Sequence, residues 1–71
     1  MQFDYSKLLG RIKECGYTQE KLAEEIGLTK TTMSLKLNNK AFFTQPEIFK
    51  IRSILRIPDE EIVAYFFTLK V

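Results

Sequence analysis

The sequence predicts an all-α fold of five helices, in a single domain that spans residues 1–71. The first observation behind this prediction is that only three Gly and two Pro interrupt the chain, which leaves long helical segments permitted. The second is that apolar residues recur three and four positions apart, as they do on one face of a helix. The third is that three threonines stand where helix caps belong, just before such apolar stripes: Thr18, Thr29 and Thr44.

The first helix is predicted over about residues 5–15. Asp4 can cap its start, and Gly16 follows its last turn as a residue that commonly ends helices. Its apolar face consists of Tyr5, Leu8, Leu9 and Ile12. We expect Cys15, near the end of this stretch, to be a small buried hydrophobe rather than a reactive thiol.

The next two helices are joined by a very short turn. Thr18 caps the first of them and Gly27 ends it, whereas Thr29 caps the second, which runs over about residues 30–37. Hydrophobic staples support both starts: Tyr17 with Leu22, and Leu28 with Met33. Helices joined by so short a turn cross steeply and approach closely, so the small Ala23 suits the contact point. The second helix then presents an outward face: Lys30, Thr31, Ser34 and Leu35.

The fourth helix begins at Thr44 with a capping box, because Glu47 lies three residues further on and can reach back to the backbone of the cap. Its core stripe consists of Ile48, Ile51 and Leu55. The fifth helix follows Pro58 and Asp59 and carries Ile62, Val63, Tyr65 and Phe66. The tail over residues 67–71 alternates apolar and polar side chains, which is the pattern of a short strand.

The composition excludes several classes of function. The chain contains no His and one Cys, so it lacks the commonest general base, an internal disulfide and a cysteine cluster for zinc. No apolar run is long enough to cross a membrane, and the N-terminal MQFDYSK does not have the pattern of a signal peptide. We therefore expect a cytoplasmic protein that is not an enzyme and needs no metal or cofactor.

The charges are distributed unevenly along the chain, although the net charge is only +2. One segment, residues 30–56, carries six basic residues against a single acid, Glu47. Its basic residues are Lys30, Lys36, Lys40, Lys50, Arg52 and Arg56. The remainder of the chain is acidic on balance, so this segment is a predicted cationic patch that would suit a nucleic-acid partner.

The stretch YTQEKLAEEIGLTKTTMSLKLNNK, residues 17–40, resembles the helix-turn-helix of the phage repressor and Cro family, also called the XRE-like family. The resemblance extends over essentially the whole chain, and its signature is the spacing Gln–x3–Ala–x3–Gly followed by a capped helix. The KLNNK motif and the Phe after it are similar to those of small phage-encoded Cro-like regulators. This resemblance implies a lambda-repressor-like domain that regulates transcription by binding double-stranded DNA in a bacterial or phage-infected cell.

In the family, residues at the start of the recognition helix reach base edges. Lys30 and Thr31 match them here, with Ser34 and Leu35 one turn further on. The chemistry agrees, because Lys30 can donate to guanine and Leu35 can pack on a thymine methyl group. For Leu35, a place in the core or in a protein interface remains open as an alternative.

Five residues are predicted to contact phosphates: Thr18, Gln19, Lys36, Asn38 and Lys40. Gln19 matches the family's phosphate-binding Gln, and Asn38 matches a residue that touches the DNA backbone. The chain departs from the family pattern at Lys36, where the family usually has an apolar residue. We expect Leu37 to take that core role, which would rotate the end of the recognition helix slightly. Asn39 replaces the family's Gly and tolerates left-handed geometry.

A single recognition helix contacts few base pairs, so operator binding predicts a homodimer on two half-sites about one helical turn apart. The predicted dimer surface is the C-terminal region: Ile62, Tyr65, Phe66, Phe67 and Leu69. If the tail is a strand, its free edge could pair with the second copy. The alternative is a protein-interaction module on the same scaffold, antirepressor-like or antitoxin-like, that does not read bases. In that case the loss of Lys30 and Thr31 would leave the activity intact.

Overall fold

The computed structural model describes all 71 residues and contains five α-helices and no β-strand. The helices are α1 (Ser6–Glu14), α2 (Gln19–Glu25), α3 (Lys30–Leu37), α4 (Gln45–Leu55) and α5 (Ile62–Phe66). A single 3-10 turn, Asp59–Glu61, leads into α5. The all-α prediction with five helices is confirmed, and none of these helices has the length and apolar character needed to cross a membrane.

The tail forms one antiparallel bridge instead of a strand. The bridge pairs Phe3 with Leu69. Backbone hydrogen bonds flank it on both sides, with Asp4 N–H donating to the Thr68 carbonyl at 2.6 Å and Lys70 N–H donating to the Gln2 carbonyl at 2.9 Å. The alternation of apolar and polar residues in the tail therefore indicated backbone pairing of the β type. The segment that the tail pairs with is the N-terminal segment of the same chain, not a second copy.

The three predicted threonine caps are present. Thr18 accepts a hydrogen bond from Lys21 N–H, and Thr29 accepts one from Thr32 N–H. Thr44 and Glu47 form the full capping box, in which the carboxylate accepts from Thr44 N–H at 2.9 Å. Because these side chains satisfy backbone donors that the first helical turn leaves free, they fix where α2, α3 and α4 begin.

The start of α1 differs from the prediction. The carboxylate of Asp4 accepts from Ser6 N–H at 2.9 Å, and the capping position belongs to Tyr5, which has no side-chain hydrogen bond of its own there. The helix therefore begins at Ser6. Leu9, predicted to lie on the apolar face, is exposed, while Leu8 and Ile12 are buried.

A core of twelve buried hydrophobic residues joins all five helices and the segment that follows α4. Its members are Tyr5, Leu8, Ile12, Leu22, Ala23, Ile26, Met33, Ile51, Leu55, Ile57, Tyr65 and Phe66. Cys15 packs against this core, and its thiol lies 3.7 Å from the Leu55 carbonyl oxygen. The core holds the α2–α3 pair against α1 and α4.

Two residues of the predicted dimer surface, Tyr65 and Phe66, belong to this core. The reason is that α5 packs against α1, and the Phe66 ring meets the Phe43 ring edge-on with centroids 5.9 Å apart. Their side chains are therefore not available to a second copy. Of the other three predicted interface residues, Ile62 is half-buried, while Phe67 and Leu69 are exposed.

Candidate nucleic-acid interface

The turn between α2 and α3 has the geometry that the sequence predicts. Gly27 has φ +81°, a left-handed conformation that glycine adopts without a steric penalty. Leu28 N–H closes the turn by donating to the Ala23 carbonyl at 2.8 Å. Ala23 is fully buried, as expected of the small residue at the contact between the two helices. The two helices pack directly on each other across this short turn and form the α2–α3 pair.

The outward face of α3 consists of the four residues predicted to reach base edges. Lys30, Thr31, Ser34 and Leu35 are all exposed. On the opposite face, Met33 and Lys36 are buried. The exposure of Leu35 excludes a place in the core, so the DNA contact and the protein contact are the two predictions from the sequence that stay open.

Lys36 is the residue for which the structure corrects the sequence analysis. Its side chain is buried, with 7% of the residue exposed, and its ammonium donates a hydrogen bond to Glu47 Oε1 on α4. The same ammonium lies 5.9 Å from the centroid of the Phe43 ring. Lys36 therefore faces α4 and does not point toward a phosphate. It fills the inward position itself, whereas Leu37 is half-buried and packs against the edge of the core, so Leu37 takes the expected core role only in part.

Glu47 has two roles at this contact between α3 and α4. One carboxylate oxygen, Oε1, accepts hydrogen bonds from both the Lys36 ammonium and Thr44 N–H. Burial alone raises the pKa of Glu47, but the hydrogen bonds from Lys36 and Thr44 outweigh burial and lower that pKa below its ordinary value. Glu47 is therefore held as the carboxylate that the buried Lys36 needs.

The other predicted phosphate contacts lie near the ends of α2 and α3. Thr18 and Gln19 are exposed at the start of α2, where helix N–H groups also point outward. Lys40 is exposed and takes part in none of the ion pairs. Asn38 is exposed too, but its amide nitrogen donates to the Ser34 carbonyl at 2.8 Å and thus caps the end of α3.

Ion pairing reduces the predicted cationic patch. Half of its six basic side chains are paired: Lys30 with Glu20 at 3.4 Å, Arg52 with Asp59 at 2.7 Å, and Lys36 with Glu47. The sequence count missed two of these acids because Glu20 and Asp59 lie outside residues 30–56. Lys40, Lys50 and Arg56 remain unpaired, so the positive potential at this surface is weaker than the sequence predicts.

No three His, Cys, Asp or Glu side chains come together in a way that could hold a metal ion. A family model described as "Protein of unknown function (DUF739)" matches residues 1–69. The chain belongs to this family. No curated protein matches it.

Among solved structures, this DUF739 protein is similar to the modulator of repression (MOR) of the temperate bacteriophage TP901-1 from Lactococcus lactis. That solution structure has a TM-score of 0.80 and 44% sequence identity, and the match covers 100% of this chain and 96% of that chain. The likeness therefore extends over the whole fold and relates this chain to a phage regulatory protein.

Asn39 is a residue of the DUF739 protein whose role sequence reasoning missed. It has φ +63°, and its amide both accepts from Phe3 N–H at 2.7 Å and donates to the Phe3 carbonyl at 3.0 Å. The end of the α2–α3 pair is thus tied to the N-terminal segment. The available signal was that Asn39 stands where the repressor and Cro proteins, which the sequence resembles, have Gly, because a side chain at a left-handed position needs a reason.

Proposed function

We propose that the protein is a phage-type transcriptional regulator that reads operator DNA with α3. The observation that carries this proposal is the division of α3 into two faces. Met33 and Lys36 are buried, whereas Lys30 and Thr31 are exposed at the start of the helix. In helix-turn-helix proteins this end of the second helix enters the major groove.

Each exposed residue has a distinct chemical role in this arrangement. Lys30 donates to guanine O6 or N7, Thr31 and Ser34 donate or accept, and Leu35 packs on a thymine methyl group. Thr18, Gln19 and Lys40 contact phosphates and set the orientation of the helix without reading sequence. No catalytic group, cofactor or metal is needed for this activity, and the protein acts in the cytoplasm of the host cell.

Lys30 must leave Glu20 to reach a base. The two side chains are 3.4 Å apart and both are largely exposed. An exposed pair of this kind contributes at most about 1 kcal/mol, so a guanine or a phosphate can displace Glu20 readily. Glu20 nevertheless remains beside the DNA and opposes binding. We therefore expect a modest affinity for DNA outside the preferred operator.

The test is fluorescence anisotropy with operators selected from a random-site DNA pool, at two salt concentrations. For the wild type we expect salt-dependent binding with a preference for the selected site. The variant Lys30→Ala/Thr31→Ala should lose that preference, because each lost base contact removes about 1–3 kcal/mol of discrimination. Lys13→Ala is the matched control, since it removes one exposed lysine charge from α1, outside the helix-turn-helix. Equal binding of all sequences by the wild type would refute base reading.

A second candidate function is the modulation of a repressor by direct protein contact. Two observations favour it: half of the cationic patch is neutralised by ion pairs, and the similar phage protein is named a modulator of repression. In this case Leu35, exposed in the middle of α3, would contact protein instead of DNA.

The two functions are distinguished by adding the protein to a repressor–operator complex from the same phage or prophage. Release of the repressor by the wild type and equally by Lys30→Ala/Thr31→Ala, with no direct binding of either to the operator, would establish the second function. Loss of the effect in the double variant, together with loss of operator binding, would support the first.

A further inference from the structure

One apolar surface of the molecule takes no part in the helix-turn-helix. It is formed by α4, the end of α5, the N-terminal segment and the segment after α3. Three phenylalanines project from it, with 67% of Phe42, 65% of Phe49 and 46% of Phe67 exposed. Exposed aromatic rings grouped in this way are unusual on a monomer and mark an interaction surface.

Two pockets adjoin these rings, and Ile48 and Phe67 line both of them. The first has a volume of about 290 Å³ and an entirely apolar lining, which includes Phe3 and Phe42. The second has a volume of about 410 Å³ and lies beside Phe49. Because a cavity of about 150 Å³ already admits a benzene ring, each pocket has room for a phenyl group. The surface thus carries projecting rings and pockets that can receive them.

The two charged side chains that line these pockets neutralise each other. Arg52 donates a hydrogen bond to Asp59 at 2.7 Å, and both line the second pocket. Pockets without a net charge do not select a strongly charged partner, and they create no like-charge repulsion when they face a copy of themselves. A surface that offers both rings and pockets is also self-complementary, as a two-fold symmetric contact requires.

The exposed area is also of the size that a dimer needs. At roughly 200 Å² per phenylalanine, the exposed parts of the three rings supply about 350 Å² of apolar area, and Met1 at the first pocket raises this to roughly 500 Å². An interface of standard size buries about 800 Å² per partner, of which somewhat more than half is apolar. These side chains therefore supply the apolar area of one half of such an interface.

We infer that this surface, defined by Phe42, Phe49 and Phe67, binds a second copy of the chain in an isologous dimer. The requirement for two recognition helices on one operator is an additional reason that rests on the proposed function, whereas the area, the charges and the self-complementary shape do not. The dimer contact thus lies on α4 and the adjoining segments, and Phe67 is the residue that it shares with the C-terminal surface predicted from the sequence.

The test is analytical ultracentrifugation of the full chain without DNA, from about 1 μM to about 1 mM, which spans the weak end of affinities for interfaces of this size. The wild type should show a monomer–dimer equilibrium. Phe49→Asp and Phe67→Asp should each weaken the dimer by at least about tenfold, as expected for anchoring aromatic residues. Both rings are exposed in the monomer, so circular dichroism and thermal unfolding should confirm that the variants fold.

Val63→Asp is the matched control, because Val63 is 67% exposed on α5 and lines neither pocket. It should dimerise as the wild type does. A wild type that stays monomeric throughout this range, or an equal loss of dimer in Val63→Asp and Phe49→Asp, would overturn the inference. A monomer that still prefers its selected operator would contradict the dimer and leave the proposed function intact. A dimer that binds no DNA would support the dimer and contradict the proposed function.

Discussion

The ammonium group of Lys36 on α3 donates a hydrogen bond to the carboxylate of Glu47 on α4, and both side chains are largely buried. This pair connects α3 to the helix behind it. Because Glu47 also accepts from Thr44 N–H, one carboxylate caps α4 and neutralises the buried lysine. The orientation of α3 and the start of α4 therefore depend on the same group.

Glu47→Gln should lower the free energy of unfolding by about 3 kcal/mol, because it leaves the Lys36 ammonium buried without a counter-charge. Adding Lys36→Met removes that charge and should restore most of the loss. Urea unfolding of the wild type, both single variants and the double variant measures the coupling between the two sites. A double variant as unstable as the sum of the two single variants would contradict the pairing.

The stability of the protein should fall on acidification below about pH 4.5, in part through Glu47. The pKa of Glu47 is lower in the folded than in the unfolded chain. Its contribution to the free energy of unfolding is therefore fully present above the unfolded pKa and is lost as the pH falls through the folded pKa. Thermal unfolding from about pH 7 to about pH 2 should show a shallower loss for Glu47→Gln. Asp4 also has a lowered pKa, owing to its hydrogen bonds with Ser6, but no buried cation depends on it. An equally shallow curve for Asp4→Asn would thus argue against a special role for Glu47.

Glu20→Gln should raise DNA affinity about two- to fivefold, because it frees Lys30 and removes an acid from the surface that we propose to face DNA. Its effect on stability should be small, since the pair is exposed. Glu24→Gln is the matched control, as Glu24 lies on the same helix and pairs with Lys21. Anisotropy titrations that show the same gain for both variants would mean that only net charge matters.

Asn39→Gly should lower the free energy of unfolding by about 1 kcal/mol, through the loss of two hydrogen bonds with Phe3. Asn39→Ala should lower it further, by about 1 kcal/mol, because alanine also pays the steric cost of the left-handed conformation. Urea unfolding of the two variants checks this order. If alanine proved the more stable replacement, the left-handed geometry would not be limiting.

Local signals in the sequence predicted most of the fold. Thr18, Thr29 and Thr44 each cap a helix through the backbone N–H three residues further on, so their roles are visible in a short stretch of sequence. The same holds for Gly27, which alone among nearby residues accepts the left-handed turn without strain. The four exposed residues of α3 follow from the periodicity of that one helix.

The errors came from contacts between distant segments. Lys36 was expected at the surface because its counter-ion lies eleven positions away on another helix. Tyr65 and Phe66 were expected in a dimer interface because their density in a short tail does not show that α5 packs against α1. A count of charges within residues 30–56 could not include Glu20 and Asp59, which neutralise two of its cations. Side-chain pairing across elements is set by packing, and periodicity does not report it.

The bridge between Phe3 and Leu69 has a consequence for the order of folding. It joins residues near opposite ends of the chain, so almost all of the sequence forms one closed loop. Contacts local in sequence form early, whereas closing a long loop costs entropy before any contact repays it. The α2–α3 turn can therefore form while the ends are still apart, and Asn39 gains its bonds to Phe3 only when the N-terminal segment arrives. We therefore expect the tip of α3 to be organised early in folding and the segment that follows it to be fixed last.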